Sequence, residues 1–387
     1  MNCQGIDQVN YYFITPDKNE RTWHRLITRG ARFLAVDGWL VAGILILETV
    51  SLFLLYSTGG HNLSLVIEQL LKFLLASGLM LILAKVPIHR YQPIATWFFL
   101  AVITILVMVL LFGTITKGGQ RWFSLGRLRV QPAELMKLAL PMMLAKYLSS
   151  KRLPLNLRDF LGALGIIVLP VLLIGKQPDL GTASLIALSG CIIILLAGIR
   201  WQVALWITAL AAVVLPIGWN LMYDYQKMRL LTFLAPESDP LNRGYNAIQA
   251  KIALGSGGAL GKGWLHGSQS RLHFLPEAPT DFAFAVYGEE FGFVGCMVLF
   301  GLFGLIIGRC LLISTRAQDT FSRLLVGGLS LSFFCSFFVN VGMVSSILPV
   351  VGVPLPFVSF GGSYLVIQMI CFGIIISAHQ HRKLIGS

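Results

Sequence analysis

Apolar runs of about twenty residues recur along almost the whole chain, and very few folds accept them. A run of that length crosses roughly 30 Å of hydrocarbon as a helix, and in lipid only a helix or a closed barrel satisfies every backbone polar group internally. The pattern predicts spans near 36–56, 66–84, 94–113, 134–148, 159–174, 181–198, 203–222, 281–307, 324–345 and 363–379. With 56% hydrophobic and only 12% charged residues, the composition lies outside the soluble range. The expected fold is therefore an all-α polytopic membrane protein of about ten transmembrane helices, with a long outward-facing loop between helices 7 and 8. The expected layout is a cytoplasmic segment 1–35, one membrane domain 36–380 carrying the loop 223–280, and a cytoplasmic tail 381–387.

Several function classes drop out. The first apolar run follows more than thirty polar and basic residues without a small-residue cleavage site, so no cleaved signal peptide is expected. The net charge of +13 is scattered through short loops instead of forming a basic face, which argues for membrane topology and against nucleic acid. Cys3, Cys191, Cys296, Cys310, Cys335 and Cys371 show no CxxC or Cys/His spacing, so neither a disulfide framework nor a zinc site is indicated.

The Lys and Arg residues of the short loops set the orientation. Those near 18–32, 85–90, 146–158, 200, 309–323 and 382–383 fall on one side, which is then cytoplasmic along with both termini. Charge in the opposite loops, 114–133 and 223–280, is not required by topology and points to an anionic substrate.

Four outward segments carry unusual residues. In KGGQRWFSLGRLRVQPAELMK, Pro132 suits a first helical turn and places Glu134 and Lys137 on one face as an ion pair; the plainer reading is a capping Glu and a snorkelling Lys. In GKQPDLGT, Asp179 sits in a tight turn, as either a functional or a capping residue. In FLPEAPTDFAFAVYGEEFG, Asp281, Glu289 and Glu290 lie in or near one membrane helix, where carboxylates are expensive and functional by default; the plainer reading is that Thr280 and Asp281 cap the helix and the two Glu residues pair with buried Arg or Lys. The charge-free ILPVVGVPLPFVSFGGS implies irregular backbone buried in protein or lining a wet cavity. A glycine-rich run, Leu254 to Gln269, lacks the strand and helix context of a nucleotide loop and keeps only a close backbone approach to a ligand.

In this order and spacing, KGGQRW, QPAELMK, QPDLGT, DYQKMRLLTFLAPESDPLNRGYNAIQA, GSGGALGKGWLHGSQ, FLPEAPTDFAFAVYGEE and LPVVGVPLPFVSFGGS resemble the SEDS family (shape, elongation, division and sporulation), and specifically its RodA branch. The likeness runs from about Asp37 to the end of the last span. It implies a ten-helix peptidoglycan glycosyltransferase of the bacterial inner membrane. Such an enzyme joins lipid II units into glycan strands outside that membrane during cell elongation, beside a class B penicillin-binding protein that crosslinks them. The residue matching the family's essential Asp is Asp281; Arg121, Trp122, Glu134 and Lys137 match its outward loop and helix motif, and Asp179 its QPDLGT motif. One departure matters. Where the family usually has a His before the Thr-Asp pair, this chain reads Glu277, Ala278, Pro279, Thr280, Asp281.

The chemistry fits those residues. An acceptor 4-hydroxyl loses its proton as it attacks the anomeric carbon of the lipid-linked donor, and a carboxylate within hydrogen-bond reach takes it. Asp281 is the expected base, with Glu277 and Glu289 next in line. Departure of undecaprenyl pyrophosphate calls for positive charge from Arg121, Lys137 or Lys262, with a divalent cation (Mg or Mn) as a further source and no organic cofactor. Glu277 completes the expected substrate-binding set. The competing reading is a lipid II flippase, which intramembrane charge also suits; no internal repeat supports it, and the charged groups gather at helix ends instead of the midplane.

Overall fold

The computed structural model describes residues 37–60, 62–116, 119–125, 128–200, 227, 245–272, 274–275 and 277–381, with the side chains of 114–130 and 270–271 left aside. The chain is nearly all helical. In order it forms α1 (Gly38–Thr58), α2 (Leu63–Ala84), a 3₁₀ turn (Ile88–Arg90), α3 (Tyr91–Phe112) and three short strands, β1 (Thr114–Thr116), β2 (Gly119–Leu125) and β3 (Leu128–Val130). Then come α4 (Pro132–Ser149), α5 (Leu157–Lys176), α6 (Leu180–Ala197), α7 (Tyr245–Ser256), α8 (Ser268–Arg271), α9 (Ala283–Thr315), α10 (Thr320–Val344) and α11 (Ser363–Gln380). The strands make an antiparallel meander in the 114–133 loop, with Trp122 opposite Thr114.

Local chemistry sets the helix ends. Asn62, Asp179 and Asp319 cap α2, α6 and α10 by accepting from the amides of Ser64, Thr182 and Ser322. Pro132 opens α4, where its missing N–H costs nothing.

Among the described residues, eight helices are long and apolar enough to cross a membrane: α1, α2, α3 with its 3₁₀ turn, α5, α6, α9, α10 and α11. Helix α4 has 18 residues and carries Glu134, Lys137 and Lys146. Twelve of those 18 are buried against α3, α5, α6, α10 and α11, whereas only five of the 22 in α2 are. So α4 is the central helix and α2 faces lipid, and a central helix is where protein can shelter charge. The expected span 203–222, and the part of the long loop before Tyr245, lie outside the described residues.

Helix α9 runs for 33 residues but is broken at Gly292, whose φ of 64° and ψ of −165° are not helical. A break at membrane depth strands backbone groups that must find new partners. The glycine-rich run supplies them. Lys262 N and Gly263 N donate to the carbonyls of Glu289 and Glu290, while Phe293 N and Val294 N donate to those of Gly258 and Ala259, at 2.9–3.0 Å. A Cβ at Gly257 would strike the Gly288 carbonyl, and one at Gly261 the backbone of Glu290 and Gly292. The close approach expected of these glycines is thus made to the chain's own broken helix. In the same loop, α7 buries Ala250 and Ala253 and packs on α9.

Candidate active site

The loop between α10 and α11, residues 345–362, fixes the turn that carries Asp281. Asn340, wholly buried on α10, donates from Nδ2 to the Asp281 carbonyl at 2.9 Å and to the Val353 carbonyl at 2.6 Å. Phe360 N donates to the Pro279 carbonyl at 2.8 Å. The Ser359 hydroxyl donates to the Thr280 carbonyl and accepts from Leu355 N at 2.9 Å. Three consecutive carbonyls, of residues 279, 280 and 281, are therefore held by one wall. Asp281 Oδ2 lies 3.3 Å from where a Cβ on Gly352 would sit, so that glycine leaves room for the carboxylate. Glu277 turns back to accept the Thr280 hydroxyl at 2.9 Å. Pro279 contributes its carbonyl and no titratable side chain.

The same loop touches α6. A Cβ at Gly181 would strike the Val351 carbonyl, so the N-terminus of α6 abuts the residue beside Gly352. Asp179 caps that helix through Oδ1 and accepts Gln131 Nε2 on Oδ2 at 2.7 Å. Gln131 is the residue before α4. One turn into α4, Lys137 Nζ is 2.8 Å from Glu134 Oε1, and its ammonium lies 4.6 Å from the Tyr364 ring of α11. Both side chains are nearly buried, and Glu134 Oε2 has no hydrogen-bond partner among the described residues. Beneath the pair, Lys137 lines a cavity of about 20 Å³ with Ser189, Ser332, Ser336, Gln368 and Cys371, room for one water.

A chain of contacts through the α10–α11 loop links Asp281 to the N-terminus of α6 with Asp179 and, through Gln131, to the start of α4, which carries Glu134 and Lys137. Lys262 stands in a neighbouring cluster. Its ammonium is 2.6 Å from Glu289 and 2.8 Å from Ser268 Oγ, and Glu289, wholly buried, also accepts from the amides of Ser268 and Gln269. Ser57 at the end of α1 donates to Glu290. Trp264 donates to the Phe53 carbonyl at 3.2 Å and packs edge-on against the Phe53 ring. This cluster ties α1, the glycine-rich run and the α9 break together. Arg121 and Trp122 lie on β2, and their side chains fall outside the described residues. No three His, Cys, Asp or Glu side chains among the described residues come together as a metal cage.

Sequence reasoning missed Asn340, Ser359 and Gln131 as residues that place the site. Asn340 carried a signal, since a lone amide in the apolar run FFVNVGM is costly in lipid unless it bonds across helices.

Residues 31–384 match the profile of the FtsW, RodA and SpoVE cell cycle proteins. The peptidoglycan glycosyltransferase MrdB of Escherichia coli is 46% identical over 352 residues, 91% of this chain and 95% of the relative. The peptidoglycan glycosyltransferase RodA of Treponema pallidum is 32% identical over 89% of this chain and 98% of its own. Among solved structures, a chain from a peptidoglycan synthase complex that coordinates polymerization and crosslinking superposes with a TM-score of 0.80 at 29% identity, covering 91% of this chain and 99% of that one. The rod shape determining protein RodA of Thermus thermophilus superposes with a TM-score of 0.66 at 26% identity, covering 90% and 98%.

Proposed function

The chain belongs to the FtsW, RodA and SpoVE family of cell cycle proteins, and from that premise we propose how it acts as the peptidoglycan glycosyltransferase its relatives are named for. It is a multi-pass membrane protein. In our reading it lies in the bacterial inner membrane with both termini cytoplasmic, and it polymerises lipid II at the end of the bundle that carries Asp281. The observation that carries the mechanism is the clamping of carbonyls 279 to 281 by Asn340, Ser359 and Phe360. A base is useful only where its geometry is fixed before the substrate arrives.

The Asp281 carboxylate takes the proton of the acceptor 4-hydroxyl as the oxygen attacks the anomeric carbon of the donor, and the glycosidic bond to undecaprenyl pyrophosphate breaks. Lys137, with the side chain of Arg121, neutralises the pyrophosphate, and Glu134 Oε2 and Asp179 accept sugar hydroxyls. Lys262 serves the site from its ion pair with Glu289, by holding the glycine-rich run in place. A divalent cation would be held here as Mg is in many phosphate sites, by phosphate oxygens with one or two carboxylates. It would add positive charge at the leaving group, and the residues described offer no closed cage for it. A class B penicillin-binding protein is the proposed partner, because a similar chain was solved in a complex described as joining polymerization to crosslinking.

The test is Asp281→Asn, which keeps shape and removes the base. General-base assistance is worth about a hundred- to ten-thousandfold in rate, so polymer formation from lipid II should fall to near background while the protein still folds. Normal polymer formation by this variant would move the base elsewhere, to Glu277 first. Movement of labelled lipid II across a vesicle by wild-type protein that makes no polymer would favour the flippase reading.

A further inference from the structure

The cavity beneath Lys137 lies inside the bundle, between α4, α6, α10 and α11, and its wall is polar. Lys137, Ser189, Ser332, Ser336, Gln368 and Cys371 all line it. Dry cavities in proteins are apolar, whereas a water needs about 10–15 Å³ and two to four polar partners. At about 20 Å³, with three hydroxyls, an amide and a lysine on its wall, this cavity has room for a single water and for nothing larger.

Three groups around it lack a partner that such a water supplies. The Lys137 ammonium has three N–H groups. Glu134 Oε1 takes one at 2.8 Å, and the Tyr364 ring, 4.6 Å away, offers its face to a second. The Tyr364 hydroxyl is buried with no hydrogen-bond partner among the described residues, although Ser336 and Gln368 stand beside it. The Lys137 carbonyl loses its ordinary helical donor, because the residue four places on is Pro141, which has no N–H. The serines are already engaged. Ser332 donates within reach of Ser189 Oγ at 2.8 Å and of the Gly328 carbonyl at 2.7 Å, and Ser336 donates to the Ser332 carbonyl at 3.0 Å. That leaves the Gln368 amide as the wall group with both donors and an acceptor to offer.

We propose that this cavity holds one ordered water, that Gln368 anchors it, and that the water fixes the Lys137 ammonium for the pyrophosphate of the donor. An ammonium on a flexible four-carbon stem has no set direction of its own. Held by Glu134 on one N–H and by the water on another, it keeps one place. Gln368 is thus a positioning residue, which acts through the water and Lys137 and touches no substrate. The proposal rests on the glycosyltransferase reading for what Lys137 faces, while the water itself does not depend on that reading.

The test uses full-length protein in lipid nanodiscs and removes the water in two ways. Gln368→Met takes its anchor at nearly constant volume, and Ser189→Val fills its space. Ser377→Ala is the control, since it removes a buried bond on α11, to the Val86 carbonyl, away from the cavity wall. A cryo-EM map sharp enough to show other buried waters should show one in the wild-type cavity and none in Gln368→Met. Affinity for fluorescent undecaprenyl pyrophosphate should fall about tenfold in both variants, as for the loss of one hydrogen bond to a charged group, and stay at wild type in Ser377→Ala. Thermal melting confirms folding, and if one variant does not fold the other carries the test. Adding Gln368→Met to Lys137→Met with Glu134→Gln should weaken binding no further, because no ammonium remains for the water to hold; a merely structural defect would add there. A wild-type map without the water overturns the proposal. So does wild-type affinity in either folded variant, or an additive loss in the triple variant. A wild type that shows the water and the Gln368-dependent affinity but makes no polymer would sink the enzyme reading and leave the water standing.

Discussion

Replacing Asn340 by Leu asks whether the clamp on Asp281 sets the rate. The amide group makes two bonds to buried carbonyls, at 2.9 and 2.6 Å, and its own Oδ1 is buried without a partner among the described residues. Each such bond contributes about 1 kcal/mol net, and a carbonyl left unpaired costs about 1–3 kcal/mol. Leu fills a similar volume and removes the unpartnered Oδ1, which offsets part of that loss. The balance is a loss of roughly 2–3 kcal/mol in holding the 280–282 turn against the 353 loop. If that energy is what places Asp281, the rate falls about 30- to 160-fold. The assay is polymer formation from lipid II by purified protein, with thermal melting to confirm folding. The control is Ser330→Ala, which removes an equally buried bond on the same helix, from Ser330 Oγ to the Val326 carbonyl, far from the clamp in its role. Wild-type polymerisation by Asn340→Leu, or an equal loss in Ser330→Ala, would refute the argument.

Two further outcomes are expected. Lys137→Met leaves Glu134 buried and unpaired, a loss of about 3–5 kcal/mol, and adding Glu134→Gln should restore most of the melting temperature while polymer yield stays low; wild-type yield in the double variant would remove the pair from the site. Gly292→Ala forces a Cβ into the backbone of Gly261 and Ala259 in a conformation that is close to glycine-only, so limited proteolysis should begin to cut within 254–269, and an unchanged digestion pattern would count against the pairing of the glycine-rich run with the α9 break.

The membrane spans were legible because lipid imposes one rule on every residue of a span, and the apolar runs record it. Most ends were read to within about four residues; α4, expected at 134–148, is Pro132–Ser149, but the span expected to stop at 307 runs on to Thr315. The break at Gly292 was not legible. GEEFGFVG reads as one helix with tolerable glycines, and only the distant Gly258–Gly263 backbone makes the break affordable. The strands of the 114–130 loop were likewise hidden, since two of the three have only three residues and leave no periodicity to count. At the site, titratable residues stood out because charge is rare in an apolar chain. The neutral residues that place them did not. Gln131 to Asp179, Asn340 to Asp281 and Ser359 to Thr280 are pairings across the fold, and one sequence shows the partners but not their meeting.

The clamp also sets a schedule for synthesis. Asn340 follows Asp281 by 59 residues and Ser359 follows Thr280 by 79, and both lie beyond the span that Asp281 introduces. At about 5–20 residues per second, a ribosome needs roughly four to sixteen seconds to add that stretch. During that interval a nascent chain already has its acid threaded into the bilayer, with nothing to aim it. In the mechanism proposed above, competence would therefore arrive only with the penultimate helix and the loop after it.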